Sequence, residues 1–110
     1  MNSNFPMAMT TLDLKKHQID KVNRLLIKAR ENDTVTVKKD QDQKIYFVTI
    51  LRYFEQPDCS GSIRLEALGS AVANAVAAAH LLVASGVAEI KKVKSKEKLV
   101  TYEGEHGHQS

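Results

Sequence analysis

The sequence predicts an α/β domain, a two-layer β-α-β-α-β-(β) sandwich with an additional N-terminal helix. Three observations carry that reading. After residue 32, segments that alternate like strands interleave with segments of helical period, an order that packs helices on a sheet. The chain has 110 residues, which suits one domain. Its hydrophobic share of 43% can build a core, which argues against wholesale disorder.

Residues 1–9 read as a disordered start. Thr10 or Thr11 can cap a helix within 10–31, with Asp13 near its positive end. Leu12, Ile19, Val22, Leu26 and Ala29 recur mostly at steps of three and four and share one face. Lys15, Lys16, Lys21, Lys28 and Arg30 lie largely off it, as a solvated helix surface would. The domain proper is expected over 32–102. Thr34-Val35-Thr36-Val37 alternates like a strand, and a polar loop follows over 38–43. Residues 44–55 read as a helix with Phe47, Val48, Leu51 and Phe54 on one side and Tyr46, Ile50 and Tyr53 beside them. A helix apolar over so much of its circumference is expected to be covered on two sides.

Residues 62–67 form a second strand, with Ile63, Leu65 and Ala67 on one face. Gly69-Ser70 turns the chain into a helix that ends at Gly86. Val72, Val76, Ala79 and Val83 give it an apolar stripe, with Ala71, Ala75 and Ala78 beside it and His80 set among them as a core or interface histidine. A third strand is expected over 87–96 and a short return over 99–102, around a turn at 95–97. Residues 103–110 read as a flexible tail.

Composition excludes several classes. Three Phe, three Tyr and no Trp are few for a single-strand binder that works by base stacking. The lone Cys59 cannot form an intrachain disulfide and fits a reducing compartment. Residues 65–88 are apolar but mostly alanine, with Glu66, Asn74 and His80 among them, so no membrane span is expected. His106 and His108 make a His-x-His, too small a set for a metal site. Asp40 and Asp42 read as a solvated turn. No Ser-His-Asp, P-loop or dinucleotide signature is present. No catalytic residue, metal or cofactor is therefore expected.

The formal charge of +3 is distributed unevenly. Residues 1–90 carry 11 basic and 10 acidic groups, residues 91–98 five lysines and one glutamate, and residues 99–110 two glutamates. On a strand, Lys92, Lys94, Lys96 and Lys98 would share a side and Lys91 would oppose them. Ammonium groups spaced about 7 Å apart repel unless an anion neutralises them. Lysines on an edge strand also discourage aggregation.

The run Ile63-Arg64-Leu65-Glu66-Ala67-Leu68-Gly69-Ser70-Ala71-Val72 resembles the second strand and second helix of Alba-family proteins, whose eukaryotic branch has an Ala-Leu-Gly-x-Ala core there. Ile90-Lys91-Lys92-Val93 is similar to the family's third strand, and Val35-Thr36-Val37 with Tyr46-Phe47-Val48 to its first strand and helix. The resemblance covers about residues 34–94. It implies an Alba-like sandwich that dimerises, as a homodimer or a heterodimer with an Alba-like protein, and binds DNA, RNA or both without a catalytic cofactor. It also implies that the first loop, the turn into the second helix and the third-strand hairpin form the nucleic-acid surface. Gln41-Asp42-Gln43 stands where many members have Lys-Lys-Pro, so their acetylation switch does not carry over. Leu68-Gly69-Ser70 stands where archaeal members have Arg-Gly-Arg.

These readings converge on Lys38, Lys39, Lys44, Arg64, Lys91, Lys92 and Lys94 as nucleic-acid contacts, with Gly69 allowing close backbone approach. The expected function is DNA/RNA binding of low sequence specificity in chromatin or ribonucleoprotein organisation, in the nucleus and/or cytoplasm. The alternatives are a non-catalytic RNA-binding subunit of a ribonucleoprotein such as ribonuclease P, or a nucleic-acid-cleaving enzyme.

Overall fold

The structure, a computed structural model, describes residues 14–107. Its elements in chain order are α1 (Lys16–Asn32), β1 (Thr34–Val37), α2 (Gln43–Glu55), β2 (Ser62–Leu68), a 3₁₀ turn (Gly69–Ala71), α3 (Val72–Ala84), β3 (Ala88–Lys96) and β4 (Leu99–His106). The β-α-β-α-β-β order expected from hydrophobic periodicity is present, with the extra helix ahead of it. The strands form one sheet in the order β1-β2-β4-β3. β1 runs parallel to β2, and the other two pairings are antiparallel.

Register decides which side chains share a face, because partners directly opposite point the same way. Val35 and Val37 pair with Leu65 and Ala67, and Leu65 pairs in turn with Tyr102. This face lies under the helices, and Val35, Val37, Ile63, Leu65 and Ala67 are all buried. The other face carries Thr36, Arg64, Glu66, Lys92 and Lys94, and no helix among the described residues packs on it.

α2 is the centre of the core. Ile45, Tyr46, Phe47, Val48, Thr49, Ile50, Tyr53 and Phe54 are all buried, and α1 packs on one side of α2 while α3 packs on another. That accounts for its broad apolar surface. The hydroxyl of Thr49 donates back to the Ile45 carbonyl at 2.7 Å, so no buried donor is left unpaired there. α1 buries Val22 and Ala29 and also reaches β1. It ends at Asp33, whose φ of 56° lets its N–H close on the Ala29 carbonyl.

Several local expectations change. α3 turns its alanines inward: Ala75, Ala78, Ala79 and Leu82 are buried, while Val76 and Val83 are 46% and 42% exposed. Because the helix is apolar almost all round, its periodicity does not select a face. His80 is exposed, not in the core. β4 continues past Tyr102 to His106, and the Gly107 N–H donates to the Val87 carbonyl at 2.8 Å. Glu103 and Glu105 are therefore strand residues, paired to both neighbouring strands. The ring of His106 packs on Phe54 with centroids 5.0 Å apart. The polar residues of 103–106 alternate with strand period, but their charge masks it as a strand signal. The hairpin turn is at Glu97 and Lys98, with Glu97 at φ 55°. The expected start at 1–9, the Thr10 or Thr11 cap, Leu12, Asp13 and His108 lie outside the described residues.

No helix among the described residues is long and apolar enough to cross a membrane.

Candidate nucleic-acid interface

Strand direction brings several loops to one end of the sheet. β1 and β2 both finish there, at Val37 and Leu68, and the β3–β4 hairpin turns there, with Lys96 opposite Leu99 and Leu99 opposite Leu68. This strand end thus gathers Lys38 and Lys39, the Gly69-Ser70 turn, Lys96 and Lys98. All are exposed, and none of the four lysines is in an ion pair with another described residue. Four strands at about 4.8 Å spacing make a rim roughly 14 Å wide.

The loop that carries Lys38 and Lys39 is held from behind. The Lys38 N–H donates to the Tyr46 hydroxyl oxygen at 2.7 Å, and that hydroxyl donates to Gln41 Oε1 at 2.7 Å. The Asn74 side-chain amide donates to the Lys38 carbonyl at 2.9 Å and to the Gln41 carbonyl at 2.6 Å. Asp42 caps α2 by accepting from the Lys44 N–H at 2.9 Å. Lys44 itself is half-buried in the first turn of α2. Burial raises the Tyr46 hydroxyl above the ordinary phenol range, against the opposing pull of the Lys38 amide. Tyr46 and Asn74 thus fix the backbone from which two cations project. The sequence reading counted Tyr46 as an apolar stripe residue and gave Asn74 no role. The signal that could have found Asn74 was one amide on a helix built, apart from it and His80, of Ala, Val and Leu.

Gly69 has φ 60°, and its N–H donates to the Lys98 carbonyl at 2.9 Å. A Cβ there would meet nothing within 4 Å. The glycine is needed for its left-handed backbone, which ties the turn to the hairpin.

The remaining candidates lie on the open sheet face and have carboxylate neighbours. Arg64 is opposite Glu103, and Glu103 is opposite Lys92. Lys94 Nζ is 3.2 Å from Glu103 Oε2. Lys91 does not oppose the other lysines as alternation alone implies. It is the extra residue of a bulge between Ile90 and Lys92, and its Nζ is 3.0 Å from Glu89 Oε1. A bulge resets the alternation of the strand that contains it. The Glu89 hydrogen bond and charge, with Glu105 adding to them, raise the Lys91 ammonium above its usual range. Lys91, Arg64, Glu103, Glu105 and Asp33 line a shallow depression of about 180 Å³ on this face. Lys98, expected on the same side as Lys92, Lys94 and Lys96, sits in the turn.

No group of three or more His, Cys, Asp or Glu among the described residues is placed to hold a metal ion. Cys59 is partly buried, with its thiol 3.9 Å from the Phe54 carbonyl.

The mixed four-stranded sheet, its helical layer and the loops gathered at one strand end define an Alba-like fold. In particular, the chain is similar to the crystal structure of ALBA1 from Trypanosoma brucei, with a TM-score of 0.62 at 15% sequence identity, over 68% of this chain and 70% of that one. No protein-family model matches the sequence, and no curated protein matches it.

Proposed function

We propose that this protein binds DNA and/or RNA with low sequence specificity and acts as a dimeric architectural component of chromatin or ribonucleoprotein, in the nucleus and/or cytoplasm. The observation that carries this reading is the exposed strand end, where Lys38, Lys39, Lys96 and Lys98 surround the Gly69-Ser70 turn without an ion-pair partner among the described residues. Lysines on short loops meet phosphates and position a protein without reading bases. The Alba-like fold supports the same reading, and a binding role over an enzymatic one.

Competition among duplex DNA, single-stranded RNA and duplex RNA at several salt concentrations tests it. Engagement of five to six cations gives a log–log salt slope of about −4.5 to −5.4 on duplex DNA. Retained affinity with a slope near zero would remove the electrostatic basis of the proposal.

The dimer has its own support. Val76 and Val83 of α3 are exposed, as are Ile90 and Val93 of the edge strand β3, at 41% and 52%. Val83 and Ile90 line one apolar depression, so the two elements share a patch that fits a second Alba-like chain. Light scattering distinguishes the two forms. A homodimer supports self-association through this patch, whereas a monomer that is stabilised only by a different Alba-like chain favours the ribonucleoprotein-subunit alternative.

A further inference from the structure

The additional helix α1 brings cations of its own to the side of the first loop. Lys21, Arg24 and Lys28 follow at steps of three and four and therefore lie along one helix face. That face does not stand alone in solvent. Together with Leu25, these residues form one wall of a groove of about 400 Å³, and Lys38 and Gln41 form the other. Four of the six lining residues are cations and none is a carboxylate. Among the described residues none of the four cations is in an ion pair, although ion pairs hold other cations of this molecule.

The far wall is fixed. Lys38 and Gln41 are the two residues whose backbone carbonyls accept from Asn74 and which meet the Tyr46 hydroxyl. The near wall is an α-helix anchored in the core through Val22 and Ala29, each next in sequence to a groove cation. A charged groove with two rigid walls loses little freedom when it is filled. Lys21 to Lys28 spans about 10 Å along the helix axis, long enough to follow a strand past more than one phosphate.

We infer that the groove between α1 and the first loop is a second phosphodiester track, in which Lys21, Arg24 and Lys28 hold the backbone of a nucleic-acid strand that continues from Lys38 and Lys39. This inference rests on the nucleic-acid-binding reading and extends it to a helix outside the β-α-β-α-β-β sandwich. Lys38 belongs both to the rim and to the groove, so a strand leaving the rim there enters the groove directly. The partner chemistry is the phosphate backbone itself, from DNA or RNA, because four of the six lining residues are cations and none is an aromatic that could stack on a base.

The test uses the full chain and two pairs of substitutions of equal charge. Arg24→Gln with Lys28→Gln removes two groove cations; Lys15→Gln with Lys16→Gln removes two cations from the same region of sequence that do not line the groove. Fluorescence anisotropy is read against duplex DNA and against single-stranded RNA over a salt series, with circular dichroism and thermal unfolding verifying the fold of each variant. The groove pair is expected to make the slope shallower by about 2 on duplex DNA, or about 1.4 on a single strand, and the control pair to leave it nearly unchanged. A change confined to one nucleic acid identifies which backbone uses the groove. Equal effects of the two pairs, or no effect of the groove pair while the wild type binds, would overturn the groove and leave the nucleic-acid reading standing. A wild-type protein that binds neither probe would overturn both.

Discussion

The cations at the strand end and those on the open sheet face are of the same kind, but their surroundings differ. Lys38, Lys39, Lys96 and Lys98 project from loops and strand termini without a carboxylate partner among the described residues. Lys91 and Lys94 are held by Glu89 and Glu103 at 3.0 and 3.2 Å, and Glu103 also stands opposite both Arg64 and Lys92. The difference follows from topology. An antiparallel strand carrying Glu103 and Glu105 lies between Arg64 of β2 and the lysines of β3, so cross-strand pairing partly neutralises the face internally. The loops have no such neighbour. Charge counted along the sequence therefore overstates the open face and understates the strand end as a phosphate-binding surface.

Charge reversal provides the sharpest contrast. Lys38→Glu with Lys39→Glu is expected to cost about 2–3 kcal/mol of binding at low salt, since two attractions become repulsions at close range in a water-exposed site. Lys91→Glu with Lys92→Glu is expected to cost less than half of that, because these lysines already face carboxylates. Equal losses in an anisotropy titration would mean that the two surfaces are used alike.

A smaller effect is expected from the support behind the strand-end loop. Tyr46→Phe leaves the Lys38 N–H and the Gln41 side-chain oxygen without their shared partner. The cost to stability is about 1–2 kcal/mol, measurable by urea unfolding. Binding falls with it as the loop loosens, while the open face keeps its geometry. Unchanged affinity in a destabilised Tyr46→Phe protein would show that a fixed loop is not required.

Much of the fold was legible because the period-2 and period-3.6 segments are distinct. Val35, Val37, Ile63, Leu65 and Ala67 alternate cleanly, and each is buried. α3 was legible as a helix but not in orientation, since Val76 and Ala75 are both apolar and only packing distance favours the alanine. β4 beyond Tyr102 was hidden because Glu103 and Glu105 occupy a face that no helix covers, where charge is tolerated. The lysines of the candidate site were visible one by one. Their partners were not, because Glu103 meets Lys94, and Asn74 meets Lys38, only through pairings distant in sequence. The groove beside α1 was invisible for the same reason.

Alkaline pH is expected to act on both regions in the same direction. Burial raises Tyr46, and burial together with a hydrogen bond to Asp33 raises Tyr53, from the ordinary value of 10.0. A group whose folded-state pKa is raised stabilises the fold fully below its unfolded value and loses that contribution as pH climbs through the folded one. Lys91 obeys the same sign from 10.5. The melting temperature is therefore expected to hold up to about pH 10 and to fall above it. Tyr46→Phe should flatten that fall by removing an ionisation at the strand end, and Lys91→Gln should alter it less, because its ammonium is exposed. A melting temperature that stays level to pH 11.5 would show that neither phenol is held by the fold.

The smallest effect tests the internal neutralisation directly. Glu103→Gln keeps the size and hydrogen-bonding capacity of the side chain while removing the charge between Arg64, Lys92 and Lys94. Deleting residues 103–110 would not serve, since it would remove half of β4. An exposed ion pair contributes about 0–1 kcal/mol, so stability is expected to change little. Affinity for duplex DNA should rise about two- to three-fold at low salt as one repulsive charge is lost, and the gain should fade at high salt as screening shortens its reach. Affinity that does not move would place phosphate beyond the reach of the open face and confine binding to the strand end. Affinity that falls would mean that Glu103 holds Lys94 in its binding position, so that the carboxylate orients the cation as well as neutralising it.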